Sequence, residues 1–422
     1  MGKKDKFIIQ KTDRLCGTVE VSGSKNAAIP ILAATLLAEG KSTLNNVPGL
    51  TDITVMCEIL NCLGARVSFD GANNVTVDAQ NLDHTVAPYD LTSKMRGSFL
   101  VMGPLLARMK KVRLSLPGGC PIGSRPVDLH LKGFDALGAE ITKGFGFVEV
   151  TCKKLVGNKI YLDFPSVGAT ENILMAAVAA EGVTTIENAA AEPEIADLAC
   201  FLTSMGADIS GAGTDSITVH GVKTFQPVEY SIMPDRIEAG SFMIASAITN
   251  GDITINGVIP EHIKPLTAKL CEIGAEIDVN GNSLRIRGNG HYTATDVKTL
   301  PFPGFPTDMQ AQMMSLLSVS DGTGIVTETI FENRFMHVGE LRRMGANLEV
   351  EGRKAIVHGV PFLQGAFVRA TDLRAGAALV LAGLAAHGIT EVGDLRHIDR
   401  GYDHLVEKLR GLGADIIRVD KD

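Results

Sequence analysis

The chain has 422 residues, of which 45% are hydrophobic and 21% charged, with a formal net charge of −8 and a pI near 5.7. That length is better served by two cores of roughly 200 residues each than by one. The acidic balance disfavours sequence-independent nucleic-acid binding, which needs a basic face, but leaves room for small anionic substrates in a locally basic cleft.

The N-terminus, MGKKDKFIIQ, is basic without an apolar stretch behind it, so it does not read as a secretory signal. No uninterrupted apolar run approaches the roughly 18 residues of a membrane span, and the expected compartment is the cytoplasm. Residues 7–21 have strand character. Residues 27–37 are apolar but for Thr35 and predict a buried helix. Residues 52–63 predict an amphipathic helix that ends at Leu63-Gly64-Ala65, and Asp70-Gly71 marks a hairpin turn. The same apolar–Gly–Ala ending recurs at Gly138, Gly206, Gly274, Gly345 and Gly413, with successive glycines 74, 68, 68, 71 and 68 residues apart. A glycine there suits a helix stop with positive φ.

After each glycine comes an alternating hairpin, as in 207–220 and in 275–287 with its Asn280-Gly281-Asn282 turn. Before each amphipathic helix lie a short strand and a uniformly apolar helix, such as 375–386. Six units of about 70 residues predict two domains of three units each. The inner boundary falls near Tyr230–Asp235. The sixth unit stops after one hairpin strand, 415–419, and the N-terminal strand is expected to complete it, so that the chain ends meet.

Counting back 37 to 42 residues from each glycine reaches Lys25, Arg96, Ser166, Arg236, Asp308 and Arg374. Four of these six helix starts are basic. Each alone reads as a solvated charge opposing the helix dipole. Together, with the free amides of helix N-termini, they predict a site for phosphates and carboxylates.

The second unit is the longest by this measure. Its excess lies in Leu116-Pro-Gly-Gly-Cys120-Pro-Ile-Gly-Ser-Arg125-Pro126, a loop rich in glycine and proline. Cys120 is either a loop cysteine of no consequence or, near Arg125 and Lys25, a thiol poised as nucleophile or proton donor. Thr307 or Asp308 reads most simply as a helix cap. Glu328 to Arg334 and His397 to Arg400 read equally well as surface loops. Seven cysteines without a CxxC pair and ten histidines without HExxH predict reduced thiols, no metal and no cofactor.

Several segments go further. Ser22-Gly-Ser-Lys25-Asn26-Ala-Ala, the Cys120 loop, Ser166-Val-Gly-Ala-Thr170, Phe305-Pro-Thr-Asp308-Met-Gln-Ala-Gln312, Glu332-Asn-Arg334-Phe-Met-His337 and Ile398-Asp-Arg400-Gly-Tyr402 closely resemble the UDP-N-acetylglucosamine 1-carboxyvinyltransferase family, in order over essentially the whole chain. The resemblance implies the enolpyruvyl transferase fold, an α/β architecture of two inside-out α/β barrels, each of three βαβαββ repeats. The domains would be 25–233, carrying the Cys120 loop, and 1–24 plus 234–422, with the active site in the cleft between them.

It also implies peptidoglycan precursor synthesis from phosphoenolpyruvate and UDP-N-acetylglucosamine, with no obligate protein partner. Lys25 and Arg125 would bind the phosphate of phosphoenolpyruvate. Arg374 and Arg400 would hold its carboxylate and phosphate end, and Asn26 would bridge the reacting groups. Asp308 would be the base for the sugar hydroxyl. Cys120 would donate a proton or form a covalent adduct. Arg96, Arg125, Pro126, Val127, Asp128, Leu129, Phe164, Pro165, Ser166, Val167 and Ile330 would contact the UDP-sugar, and Arg334 and Asp372 complete the substrate-binding set. Phe164 stands where some members carry Lys and would act by stacking or through its backbone. A shikimate 3-phosphate enolpyruvyl transferase shares the architecture but lacks the Cys-bearing loop. A non-catalytic nucleotide-sugar sensor would not need Cys120 and Asp308, and both are present.

Overall fold

The computed structural model describes residues 5–71, 73–116, 122 and 127–419. The chain divides into two compact units: Met1–Ser22 with Pro121–Ser124 and Pro234–Asp422, and Gly23–Cys120 with Arg125–Met233. All six units of the repeat are found. Every signature glycine lies past the end of its amphipathic helix with positive φ, at 101°, 86°, 106°, 115°, 88° and 95° in chain order. An L side chain is strained in that conformation, which is why glycine recurs there.

The uniformly apolar helices form the centre of each unit. In the first-half unit these are Lys25–Ala34, the 3-10 run Arg96–Val101 leading into Met102–Met109, and Val167–Ala177, packed on one another. In the other they are Arg236–Ile248, Thr307–Met309 leading into Gln310–Leu317, and Leu373–Ala385. A helix that is apolar on every side is stable only when surrounded. Of Arg236–Ile248, every residue but Arg236 is buried.

The sheets lie outside these helices and offer them one face. In Ser216–His220, Ile217 and Val219 are buried and their neighbours are not. Helices inside and sheets outside give the inside-out arrangement expected, built from five open four-stranded sheets and one of three strands, none of them closed on itself among the described residues.

The sheets also explain the chain ends. A complete sheet orders Lys159–Tyr161, Val183–Glu187, Ser216–His220 and Asp208–Ser210, with a parallel pair followed by two antiparallel ones. In the sixth unit Lys6–Gln10 takes the place of the second hairpin strand, antiparallel to both Ile389–Gly393 and Ile416–Val419. The expected meeting of the chain ends is therefore present. No helix is long and apolar enough to cross a membrane among the described residues.

Candidate active site

All six aligned positions sit at the start of a buried helix, as counting back from the glycines predicts. Four of these helices carry side-chain caps. Ser24 accepts from the Ala27 amide, Ser166 from Ala169, Asp235 from Ile237 and Glu238, and Asp372 from Arg374 and Ala375. This modifies the expected anion site. The caps already occupy amides of the first turn, so the capacity for anions rests chiefly on the cationic side chains beside them.

In the unit holding 234–422, Asp308 lies between two arginines. Arg334 Nη2 donates to Asp308 Oδ1 at 2.8 Å, and Arg374 Nε and Nη2 donate to Oδ2 at 3.1 and 2.9 Å. Arg374 is 1% exposed and Arg334 5%. Burial works against the Arg374 charge, but Asp308, with Tyr402 and Asp235, outweighs it and holds the guanidinium above its ordinary range. Its Nη1 is buried and makes no hydrogen bond at normal distance, although the Tyr402 hydroxyl lies close enough to act on the guanidinium. The Tyr402 ring lies 5.5 Å from this guanidinium, and Tyr402 is held by Ser241 at 2.8 Å and Gln312 at 3.0 Å. Burial pushes the nearby His337 down to about 4, with Asp372 opposing and Arg334 adding to the fall. His397 is lowered by burial, then by Arg396 and Arg400.

Two expectations are corrected here. Neither Thr307 nor Asp308 caps a helix; that position falls on Pro306, without a side-chain cap. Thr307 instead donates to Glu328 at 2.9 Å. Nor is Glu328 to Arg334 simply a surface loop: Glu332 and Asn333 are exposed, but Glu328 is 0% exposed and Arg334 is buried. Ile330, half-buried, lies between them in the chain.

In the unit holding 23–233, Lys25 opens its helix with Nζ 3.4 Å from Asp52 Oδ2, both side chains buried. Asn26 and Arg96 are half-buried. The fully buried Asn172 ties the Arg96 segment to the helix that Ser166 caps, accepting from the Gly103 amide at 2.7 Å and donating to the Phe99 carbonyl at 2.9 Å. Its amide nitrogen also lies 3.1 Å from His130 Nδ1. Phe164 exposes 44% of its surface, and its carbonyl accepts from Ser166 N at 2.7 Å. Pro165, Ser166, Val167, Val127 and Leu129 are half-buried and Asp128 is exposed. Cys120, Arg125 and Pro126 lie outside the described residues. Ile122, within the same loop, accepts at its carbonyl from Asn333 N at 3.0 Å.

Sequence reasoning read Glu328 only as part of a surface loop and gave no part to Asn172, His130 or Asp52. Each is an ordinary residue in an element of known type, and only its partners distinguish it. Among the described residues no cluster of His, Cys, Asp and Glu could hold a metal ion.

Cationic helix starts, with a carboxylate held between two arginines, suit a reaction that moves negative charge onto bound oxygens. A family model described as EPSP synthase (3-phosphoshikimate 1-carboxyvinyltransferase) matches residues 9–409. The protein called UDP-N-acetylglucosamine 1-carboxyvinyltransferase 1 in Caldanaerobacter subterraneus subsp. tengcongensis is 57% identical, over 98% of this chain and 100% of its own. UDP-N-acetylglucosamine 1-carboxyvinyltransferase 2 of Carboxydothermus hydrogenoformans is 59% identical, over 98% of this chain and 99% of its own.

The chain belongs to the UDP-N-acetylglucosamine 1-carboxyvinyltransferase family.

Solved structures share the fold. The enolpyruvyl transferase NikO from Streptomyces tendae superposes with a TM-score of 0.90 at 27% identity, covering 100% of both chains. An EPSP synthase from Acinetobacter baumannii gives 0.76 at 18% identity, covering 99% of this chain and 100% of its own, a likeness of fold alone.

Proposed function

We propose that this protein transfers the enolpyruvyl group of phosphoenolpyruvate to the 3′-hydroxyl of UDP-N-acetylglucosamine and releases phosphate. This is the first committed step of peptidoglycan synthesis, and with it of cell-wall growth and division, carried out in the cytoplasm. The observation that carries the reading is 57–59% identity along nearly the whole chain to relatives bearing that name. The EPSP synthase structure, at 18%, supports the fold but not shikimate 3-phosphate as substrate.

In this mechanism the sugar 3′-oxygen bonds to C2 of phosphoenolpyruvate as C3 gains a proton. The tetrahedral ketal then loses phosphate and a C3 proton, leaving the enol ether. Asp308 takes the proton of the sugar hydroxyl, and Arg334 and Arg374 fix its carboxylate. Arg374 and Arg400 bind the carboxylate and phosphate end, using the buried Nη1 of Arg374. Lys25 and Arg125 bind the phosphate, with Asp52 aligning Lys25. Asn26 bridges the reacting groups. Cys120 supplies a proton or forms a phosphoenolpyruvate adduct. Arg96, 125–129, 164–167 and Ile330 contact the UDP-sugar, with the exposed ring of Phe164 free to stack. A dianion and a carboxylate together need several fixed cations, and preorganised donors stabilise the charge that moves onto phosphate.

The test is phosphate release. It is expected only when phosphoenolpyruvate and UDP-N-acetylglucosamine are both supplied. Equal release with shikimate 3-phosphate, or none with the proper pair, overturns the reading.

A further inference from the structure

Glu328 has no part in the mechanism above, yet it is completely buried. An ionisable carboxyl is costly to bury unless donors surround it. Four donors meet its two oxygens. Oε1 accepts from Thr299 Oγ1 at 2.9 Å and from the backbone amides of Ile330 and Phe331 at 2.8 and 3.1 Å. Oε2 accepts from Thr307 Oγ1 at 2.9 Å.

These contacts link two pieces of chain that the proposed reaction uses. The amides belong to the segment that carries Ile330 and ends at Arg334. Thr307 immediately precedes Asp308. The same two pieces are joined a second time by Arg334, which grips the Asp308 carboxylate at 2.8 Å. The turn at 307–309 is therefore held at one residue by Glu328 and at the next by Arg334, both from a single segment. The intervening backbone is fixed as well: Thr329 N donates to Thr299 Oγ1 at 2.9 Å, and Glu328 N to the Arg353 carbonyl at 2.9 Å.

We infer that Glu328 is a positioning residue for the reaction, setting the distance between Asp308 and the UDP-sugar contact at Ile330. The inference rests on the proposed function for the roles of Asp308 and Ile330. Its two oxygens divide the work. The Oε2 arm orients the turn that bears the base, and the Oε1 arm shapes the segment that bears the sugar-nucleotide contact. A carboxylate suits both arms because it is acceptor-only and all four of its neighbours donate. Misplacing a reacting group by about 1 Å costs on the order of 100-fold in rate, so loss of either arm is visible in kinetics.

The experiment compares the full-length wild type with Glu328→Ala, Glu328→Gln and Thr307→Val by steady-state phosphate release, across pH and both substrate concentrations. Glu328→Ala is expected to lower kcat and raise KM for UDP-N-acetylglucosamine, each by about tenfold or more. Thr307→Val, which removes only the Oε2 arm, lowers kcat and leaves that KM within about threefold. Glu328→Gln retains the Oε1 acceptor, and the Thr307 hydroxyl can turn to accept from its amide. It therefore recovers most of the activity with the pH profile unchanged.

Three results overturn the inference: Glu328→Ala with both parameters near wild type, Thr307→Val with unchanged kcat, or Glu328→Gln as damaged as Glu328→Ala with a lost limb in the pH profile. The last would make Glu328 a proton-transfer group. Amide hydrogen exchange at Ile330 and Phe331 gives a readout free of substrate. It is expected to quicken in Glu328→Ala and to stay near wild type in Glu328→Gln, and exchange left unchanged by Glu328→Ala overturns the inference. A wild type that releases no phosphate overturns the proposed function instead, and leaves the exchange result to judge Glu328.

Discussion

Asp308→Asn preserves the size of the side chain and removes its charge from between two buried guanidiniums. If the amide oxygen takes the place of Oδ2, both bonds from Arg374 survive, and the amide nitrogen faces Arg334 Nη2 where the acceptor stood at 2.8 Å. The reverse orientation sets the nitrogen against two donors of Arg374 and is worse. The favoured arrangement loses one charge-assisted bond and leaves the nearly buried Arg334 cation short of its counter-charge, a cost of about 2–4 kcal/mol. Loss of a general base adds a fall of roughly 10²–10⁴-fold in turnover. Urea unfolding reads the first effect and phosphate release under saturating substrates the second. A cycle with Arg334→Met separates them, because the arginine change should cost about 1–3 kcal/mol less once Asp308 is already Asn. Turnover within about tenfold of wild type would refute the base assignment. Additive stabilities in the cycle would refute the ion pair as the structure draws it.

Other outcomes follow from the same structure. Burial raises Glu171 well above the ordinary carboxyl value of 4.5, with Glu194 and Glu192 adding to it. Its native state thus keeps a proton that the unfolded chain releases, so its stabilising share is whole below about 4.5 and declines as pH rises, by at most about 1.4 kcal/mol per unit. Glu238, pushed to about 7 chiefly by burial, acts in the same direction. Glu171→Gln should flatten the decline in urea midpoint between pH 5 and 9, and a slope equal to wild type would contradict it. Gly274→Ala should destabilise by about 1–2 kcal/mol at its φ of 115°. Gly339→Ala, helical with open space at its Cβ, should stabilise by roughly 0.4–1 kcal/mol; equal effects of the two in urea unfolding would remove the conformational argument. The epoxide fosfomycin should label Cys120 alone, and faster with the UDP-sugar bound. Burial pushes the Cys57 thiol up to about 12 and disfavours its thiolate. Mass spectrometry finding the label at another cysteine, or no effect of the sugar, would count against this.

The repeat was legible because its determinants are local. A glycine at positive φ is required by the backbone of its own turn, and a helix apolar all round states its burial without reference to any neighbour. Both could therefore be counted in the sequence, and the count located all six helix starts. Asp308 was not legible in that way. By residue type it belonged at a helix cap, and what displaced that reading is a pair of arginines 26 and 66 positions further along the chain. Glu328 was hidden for the same reason: a carboxyl at a strand end suggests solvent, and only the fold brings Thr299, Thr307 and two amides around it.

The basic helix starts show how the local and distant levels meet. A cation beside a helix N-terminus is unfavourable in isolation, so four of them looked like a cost in need of an anion. The caps offset part of that cost. Asp235 and Asp372 place a carboxylate immediately before Arg236 and next to Arg374, and each occupies two amides of its helix. Ser24 occupies one amide, with a neutral hydroxyl, before Lys25, where the counter-charge comes instead from Asp52 on another helix. Lys25 and Arg374 are thus held in place by the protein's own acids, Asp52 and Asp308. Arg374 nevertheless retains a buried Nη1 that none of those acids reaches, and under the proposed function that donor is the one offered to the carboxylate and phosphate end of phosphoenolpyruvate.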